Sequence, residues 1–276
     1  MQSSARRVGA ITCAADAYSL LRGSVGVPVA NRTHDFALSS KAGPGNRVVS
    51  ADNAIYLATI WAIPVIIAIT FHEAAHGFVA HLLGDDTAWR LGRVSFNPLK
   101  HVDPFGTILL PGVLLLLHSP FLFGYAKPVP VNFRALRRPR RDMVLVAAAG
   151  PAMNIALAVA AGLAFHFVGY LPATSAQWLA ANLKNALVFN VVLAVFNLFP
   201  LPPLDGGRIL VGSLPKSAAA SVARLEPYGL AILICLLIVL PLLGAQLGID
   251  LSVVSRALAI STGAIVEAIL VVTGNI

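Results

Sequence analysis

Apolar residues in this chain do not alternate with polar ones at a strand or surface-helix period. They come in long blocks separated by short polar or basic breaks. Residues 54–84 are almost continuously apolar, about 30 positions against the roughly 20 a helix needs to cross a bilayer, which predicts a tilted or protruding span. Residues 85–105 are polar and broken by Pro98 and Pro104. Residues 106–124 are apolar again, but Pro111-Gly112 interrupts their middle and Pro120 their end. A basic loop follows over 125–142. A long run at 143–170 contains Gly150-Pro151, and the next, 181–200, is entered by Lys184 and ended by Pro200, Pro202 and Pro203. Residues 228–247 are plainly hydrophobic, and a weaker segment, 251–273, carries Arg256 and Glu267. The pattern predicts an all-α polytopic membrane protein with five to six membrane segments.

Composition strengthens that reading. Hydrophobic residues make up 57% of the 276 positions and charged residues 12%, with a mean hydropathy of +0.79; soluble domains carry roughly 25% charged residues. Cys13 and Cys235 alone exclude a disulfide framework or a cysteine-rich metal cluster. The net charge of +8 would suit nucleic acid in a polar chain. In one this apolar it reads instead as Lys and Arg kept on the cytoplasmic side, with the lipid bilayer as partner and no nucleic acid.

The basic residues also set a topology. Arg90, Arg93, Lys100, Lys127, Arg134, Arg137, Arg138, Arg140 and Arg141 lie on both sides of 106–124. A re-entrant 106–124 keeps both clusters cytoplasmic, and later loops alternate as the positive-inside rule requires. The first span then runs outside to inside. Residues 1–50, rich in Arg, Ser and Gly, match no signal peptide and are expected to be a disordered or misassigned tail. Residues 51–215 are expected to form a membrane core, where the chemistry described next is found, and 216–276 the C-terminal membrane segments.

Chemistry enters at Phe71-His72-Glu73-Ala74-Ala75-His76-Gly77, an H-E-x-x-H sequence inside the first span. His72 and His76 lie about 40° apart on the helix, so both imidazoles face one way, a turn apart. Glu73, about 60° from His76, reaches a water beside a metal without ligating it. The chain has three glutamates, and one sits between two histidines in a span, where an ionisable group is functional by default. His81 points to the opposite side. Zinc needs a third protein ligand. His118, His166, His101 and Asp205 are candidates. Asp205 follows the proline-broken stretch Asn197-Leu198-Phe199-Pro200-Leu201-Pro202-Pro203-Leu204 and precedes Gly206-Gly207-Arg208. Taken alone it is as good an N-cap as a ligand; beside a matching His pair the ligand reading leads.

The stretches HEAAHGFVAHLLGD (72–85), GRVSFNPLKHVDPFGTILLP (92–111), FGYAKPVPVN (123–132), AGPAMN (149–154) and FNLFPLPPLDGGR (196–208) closely resemble the site-2 protease family of intramembrane zinc metalloproteases, in its compact branch without PDZ or CBS domains. The resemblance implies that His72, His76 and Asp205 bind one zinc ion and that Glu73 is catalytic. It also implies helper roles for Asn154 and Asn197, as oxyanion or substrate-binding groups. It further implies hydrolysis of peptide bonds in or near transmembrane segments of protein substrates, in a bacterial inner membrane with the site toward the cytoplasm.

A substrate cut this way must be locally unfolded, and residues 92–98 are expected to offer a strand edge in a short β-like cytoplasmic loop. His101 and Asp103 are expected to be structural. The run 137–141 is expected to meet anionic headgroups. The rivals are a different H-E-x-x-H membrane peptidase and a transporter or metal-permeation protein using the same His and Asp groups. A transporter has no need for Glu73 between two ligands.

Overall fold

The computed structural model describes residues 51–103, 109, 113 and 127–276. Apart from positions 109 and 113, the re-entrant segment expected at 106–124, with His118, lies outside these described residues, as does the tail 1–50. The first span is α1 (Ala51–Leu82), followed by the short α2 (Thr87–Arg90). After the basic loop come α3 (Pro139–Ala164), continued by a 3₁₀ turn over Phe165–Tyr170, and α4 (Ala173–Asn197). Two short helices follow, α5 (Asp205–Ser213) and α6 (Lys216–Ala223). A near-continuous rod then runs through α7 (Gly229–Ile234), a π-turn at Cys235–Val239 and α8 (Leu240–Leu247), and α9 (Val253–Val272) closes the chain. Five of these stretches are long and apolar enough to cross a membrane. The polytopic all-α class therefore holds. The span expected at 181–200 begins instead at Ala173, because 173–180 carries no charge and Pro172 marks the helix start.

The expected strand edge at 92–98 is not formed, and no strand occurs among the described residues. Local chemistry explains this. Gly92 turns the chain at φ +62°. Ser95 Oγ accepts from Asn97 N, Asn97 Oδ1 accepts from Leu99 N, and Pro98 opens a 3₁₀ turn. Side chains thus take the backbone donors that a ladder would need. The neighbouring stretch 127–130 is held by Arg93 Nη2 donating to Lys127 O at 2.8 Å and by Lys127 N donating to His101 O at 2.9 Å.

Helices α1, α3 and α4 form the centre. Helices α1 and α3 are antiparallel: His76 meets Val146 near one end, and His72 meets Asn154 two turns further on. Helix α4 runs parallel to α1, with Trp178 Nε1 donating to Thr59 Oγ1 and Asn185 Nδ2 to Ile60 O. The second bond repairs a helix defect. Pro64 has no N–H, so Ile60 O loses its partner within α1. Asn185 supplies one from the next helix at 2.7 Å.

Lipid tails are as apolar as leucine, so packing within the bilayer relies on close van der Waals contact and polar bonds rather than water exclusion. Small residues make this possible: Ala68, Ala147, Ala158, Ala161 and Ala194 are buried between helices. Ala158, Ala161, Leu187, Val191, Val266, Ile269 and Leu270 join α3, α4 and α9 in one cluster. Ile55, Trp61, Ile66, Leu242 and Leu243 stay exposed, an apolar surface suited to lipid.

Beyond α1 the loop is fastened by Asp85, which is fully buried. Its carboxylate accepts from Thr87 N at 3.0 Å, Thr87 Oγ1 at 2.5 Å and Asn132 N at 2.6 Å. This ties 127–132 back over the end of α1.

Candidate metal centre

His72 and His76 are buried on the face of α1 that meets α3. Asp205 is the first residue of α5, and Leu204 occupies the N-cap position. The capping alternative therefore has no geometry to support it; the carboxylate turns instead toward the histidines. Asp205 Oδ2 lies 3.2 Å from His72 Nε2 and 3.3 Å from His76 Nε2, and the two Nε2 atoms are 3.0 Å apart. Two glycines allow this approach. A Cβ on Gly206 would stand 2.2 Å from Leu198 O, and one on Gly207 2.1 Å from Pro202 N, so the proline-broken loop can fold back directly onto the start of α5.

The far side of each imidazole fixes its protonation. His76 Nδ1 is 2.7 Å from Val146 O, which can only accept, so Nδ1 carries the hydrogen. His72 Nδ1 is 2.5 Å from Asn154 Oδ1. In both neutral rings the bare nitrogen is then Nε2, and both point at a carboxylate oxygen. Asp205 Oδ2 is buried and has no hydrogen-bond donor among the described residues. Three lone-pair atoms converge with no hydrogen between them, an arrangement that only a cation or an added proton relieves. A carboxylate must be ionised to serve as a metal ligand.

The spacing fits zinc. Tetrahedral coordination with bonds of 2.0–2.1 Å has ligand-to-ligand edges of about 3.3 Å. A gap is also kept open above the site: a Cβ on Gly150 of α3 would lie 2.5 Å from His72 Cε1 and 2.5 Å from His76 Nε2. Any side chain there would enter the cluster.

Glu73 stands beside these groups without joining them. It is half-buried, and its Oε2 accepts from Val129 N at 2.8 Å. Close packing of Val129 on Gly77, where a Cβ would meet Val129 Cγ1 at 3.0 Å, brings the donor to this place. One carboxylate oxygen is thereby fixed and the other left available.

The remaining candidates separate cleanly. His101 is buried in the loop with Nε2 donating to Ser95 O at 2.8 Å, and His166 bonds Thr273 O at 2.7 Å; neither joins the cluster. His81 bonds Asp86 at 2.7 Å and stacks on Trp89, and that hydrogen bond lowers the Asp86 carboxyl. Asn154 is completely buried and fully engaged: Nδ2 donates to Asn190 Oδ1 at 2.8 Å and Ala68 O at 3.2 Å. Asn197 donates to Leu193 O one turn back, at 3.0 Å. Sequence reasoning missed the Val146 carbonyl and the Val129 amide, which are backbone groups and leave no signature in residue identity. It also missed Gly150 and Asn190, although an asparagine inside a span is itself a signal.

Residues 166–240, which include Asn197 and Asp205, match the family model Peptidase family M50. The chain is 41% identical over 183 residues to the putative zinc metalloprotease YwhC of Bacillus subtilis, covering 64% of this chain and 78% of that protein. It is 30% identical over 174 residues to the putative zinc metalloprotease Rip2 of Mycolicibacterium smegmatis, covering 63% and 64%. To Rip2 of Mycobacterium tuberculosis it is 28% identical over 199 residues, covering 70% and 74%. No solved structure matches. The chain belongs to peptidase family M50, the site-2 proteases. Membership makes it a membrane-embedded zinc metalloprotease, and the transporter alternative has no support.

Proposed function

We propose that His72, His76 and Asp205 hold the zinc ion, that Glu73 is the proton-transfer group, and that the substrate is a transmembrane segment of another protein, unwound at the site. The observation that carries this is the convergence of three bare ligand atoms within 3.3 Å of one another, each oriented from behind or unpartnered.

When bound, zinc lowers the pKa of water toward neutrality and polarises a peptide carbonyl. The chain's own residues do the rest. Glu73 Oε2 stays on Val129 N, and Oε1 takes the proton from the attacking water and returns it to the leaving amine. Val146 and Asn154 keep both imidazoles in the ligating tautomer through the cycle. Of the two asparagines first considered for the oxyanion, Asn197 suits the task better. Its amide has one hydrogen on Leu193 O and a second left to donate, whereas both hydrogens of Asn154 are used.

The catalytic unit is 51–215, and 216–276 adds membrane segments. The basic end of the bundle, where Arg137 N donates to Leu83 O, faces the cytoplasm of a bacterial cell by the positive-inside rule. His72 lies ten residues before Leu82, about 15 Å inside that end. The scissile bond is therefore cut about that far from the cytoplasmic end of the bundle.

Asp205→Ala tests the ligand set. The purified full chain is dialysed against a weak chelator, and zinc per chain and cleavage of a model transmembrane peptide are measured. Loss of both is expected. A folded variant that retains one zinc as tightly as the parent removes Asp205 from the site.

A further inference from the structure

We infer that Asn190, in the middle of α4 and not itself in contact with the cluster, is a positioning residue that keeps His72 able to bind metal. This rests on the ligand assignment proposed above.

The argument follows the direction of each hydrogen bond. Asn190 is 2% exposed and Asn154 0%, so neither amide has water to turn to. Asn190 Nδ2 donates to Ala186 O at 2.8 Å. A carbonyl can only accept, so this bond decides which end of the Asn190 amide is which. Asn190 Oδ1 must then face Asn154, whose Nδ2 donates to it at 2.8 Å. The second hydrogen of that Nδ2 goes to Ala68 O at 3.2 Å. With its nitrogen placed, Asn154 presents Oδ1 to His72 at 2.5 Å. An acceptor there demands hydrogen on His72 Nδ1 and leaves Nε2 bare toward Asp205 and His76. Reversal of Asn190 would set two donors against each other, and reversal of Asn154 two acceptors, in a dry interior.

His76 has no need of such a relay, because its Nδ1 faces the Val146 carbonyl directly. His72 depends on a side-chain amide that can rotate. Without Asn190, the 3.2 Å bond to Ala68 O is the remaining restraint on Asn154. An Asn154 amide turned over would offer Nδ2 to His72 Nδ1, favouring the tautomer with hydrogen on Nε2, which cannot ligate. Groups behind a metal-ligating histidine typically change metal affinity or activity 10- to 100-fold when removed. Asn190 sits one bond further back, so the lower end of that range applies.

The test uses the full chain in detergent and reads zinc affinity by chelator competition. Asn190→Leu removes the relay. Asn190→Asp keeps it as a neutral carboxyl, its hydroxyl donating to Ala186 O and its carbonyl accepting from Asn154. Asn182→Leu is the control: a buried amide on the same helix, bonded to Trp178 O and unconnected to His72. We expect Asn190→Leu to weaken zinc on the order of 10-fold, Asn190→Asp to restore most of that, and Asn182→Leu to leave it unchanged. Equal binding by Asn190→Leu and the parent, or equal weakening by Asn182→Leu, overturns the inference. A second reading needs no variant: in ¹⁵N-histidine spectra of the metal-free parent, His72 should carry its hydrogen on Nδ1, and hydrogen on Nε2 overturns the relay. If the parent binds no zinc, or His72→Ala binds it normally, the ligand assignment has failed instead.

Discussion

The two ends of the sequence build membrane helices in different ways. In α1, α3 and α4 buried and half-buried polar groups bond across to a neighbouring helix: Asn185 with Ile60, Asn190 with Asn154, Asn154 with His72, His76 with Val146. In α7 and α8 the buried residues are Gly229, Leu233 and Gly244, and the rest of that rod faces outward as apolar surface. Both regions are hydrophobic enough to span. Of the two, only the first holds polar side chains at depth, and the four contacts just named lie at the cluster or at a helix defect. Hydropathy thus marks the membrane, and inward polarity marks the working part.

The contrast is broken most severely at Gly150. Gly150→Ala places a methyl carbon about 2.5 Å from both imidazoles, closer than Cβ atoms come, and α3 cannot retreat without losing the Asn154 and Val146 bonds. Zinc content and peptide cleavage should both fall below detection while helical circular dichroism persists. A variant that binds zinc normally would show that the cradle is not tight.

Asp85→Ala should act on stability before activity. It strands Asn132 N and Thr87 N, at about 1–3 kcal/mol for each buried unpaired group. A thermal unfolding midpoint in detergent should drop clearly, with zinc still bound at low temperature. An unchanged midpoint would mean that water replaces the carboxylate. In the other region, Leu243→Ala should change stability by no more than about 0.5 kcal/mol and leave zinc affinity alone, since the side chain is exposed to lipid. A large loss there would place a partner on α8.

How much of this was legible from residues alone follows from the same contrast. The spans were legible because block hydropathy reports membrane burial directly. His72, Glu73 and His76 were legible because helical spacing alone sets them on one side. Asp205 was half legible: its proline-broken setting was odd, but only the fold shows α5 starting with the carboxylate already at the histidines. Residues 92–98 misled because β-like composition does not reveal that Ser95 and Asn97 side chains capture the backbone. Gly150 was hidden because a glycine's purpose lies in what approaches it. Val129 and Val146 act through peptide groups that any residue but proline, or any residue at all, would supply.

The central claim separates metal holding, by His72, His76 and Asp205, from proton transfer, by Glu73. Glu73→Gln tests that division most directly. The carboxamide has nearly the same shape and still meets Val129 N through its oxygen, but cannot take a proton. Zinc per chain and the rate of cleavage of a transmembrane peptide are measured on the same preparation. One zinc per chain, bound as tightly as in the parent, with cleavage reduced at least about 100-fold, is the predicted result. Near-normal cleavage, or loss of zinc together with activity, would contradict it.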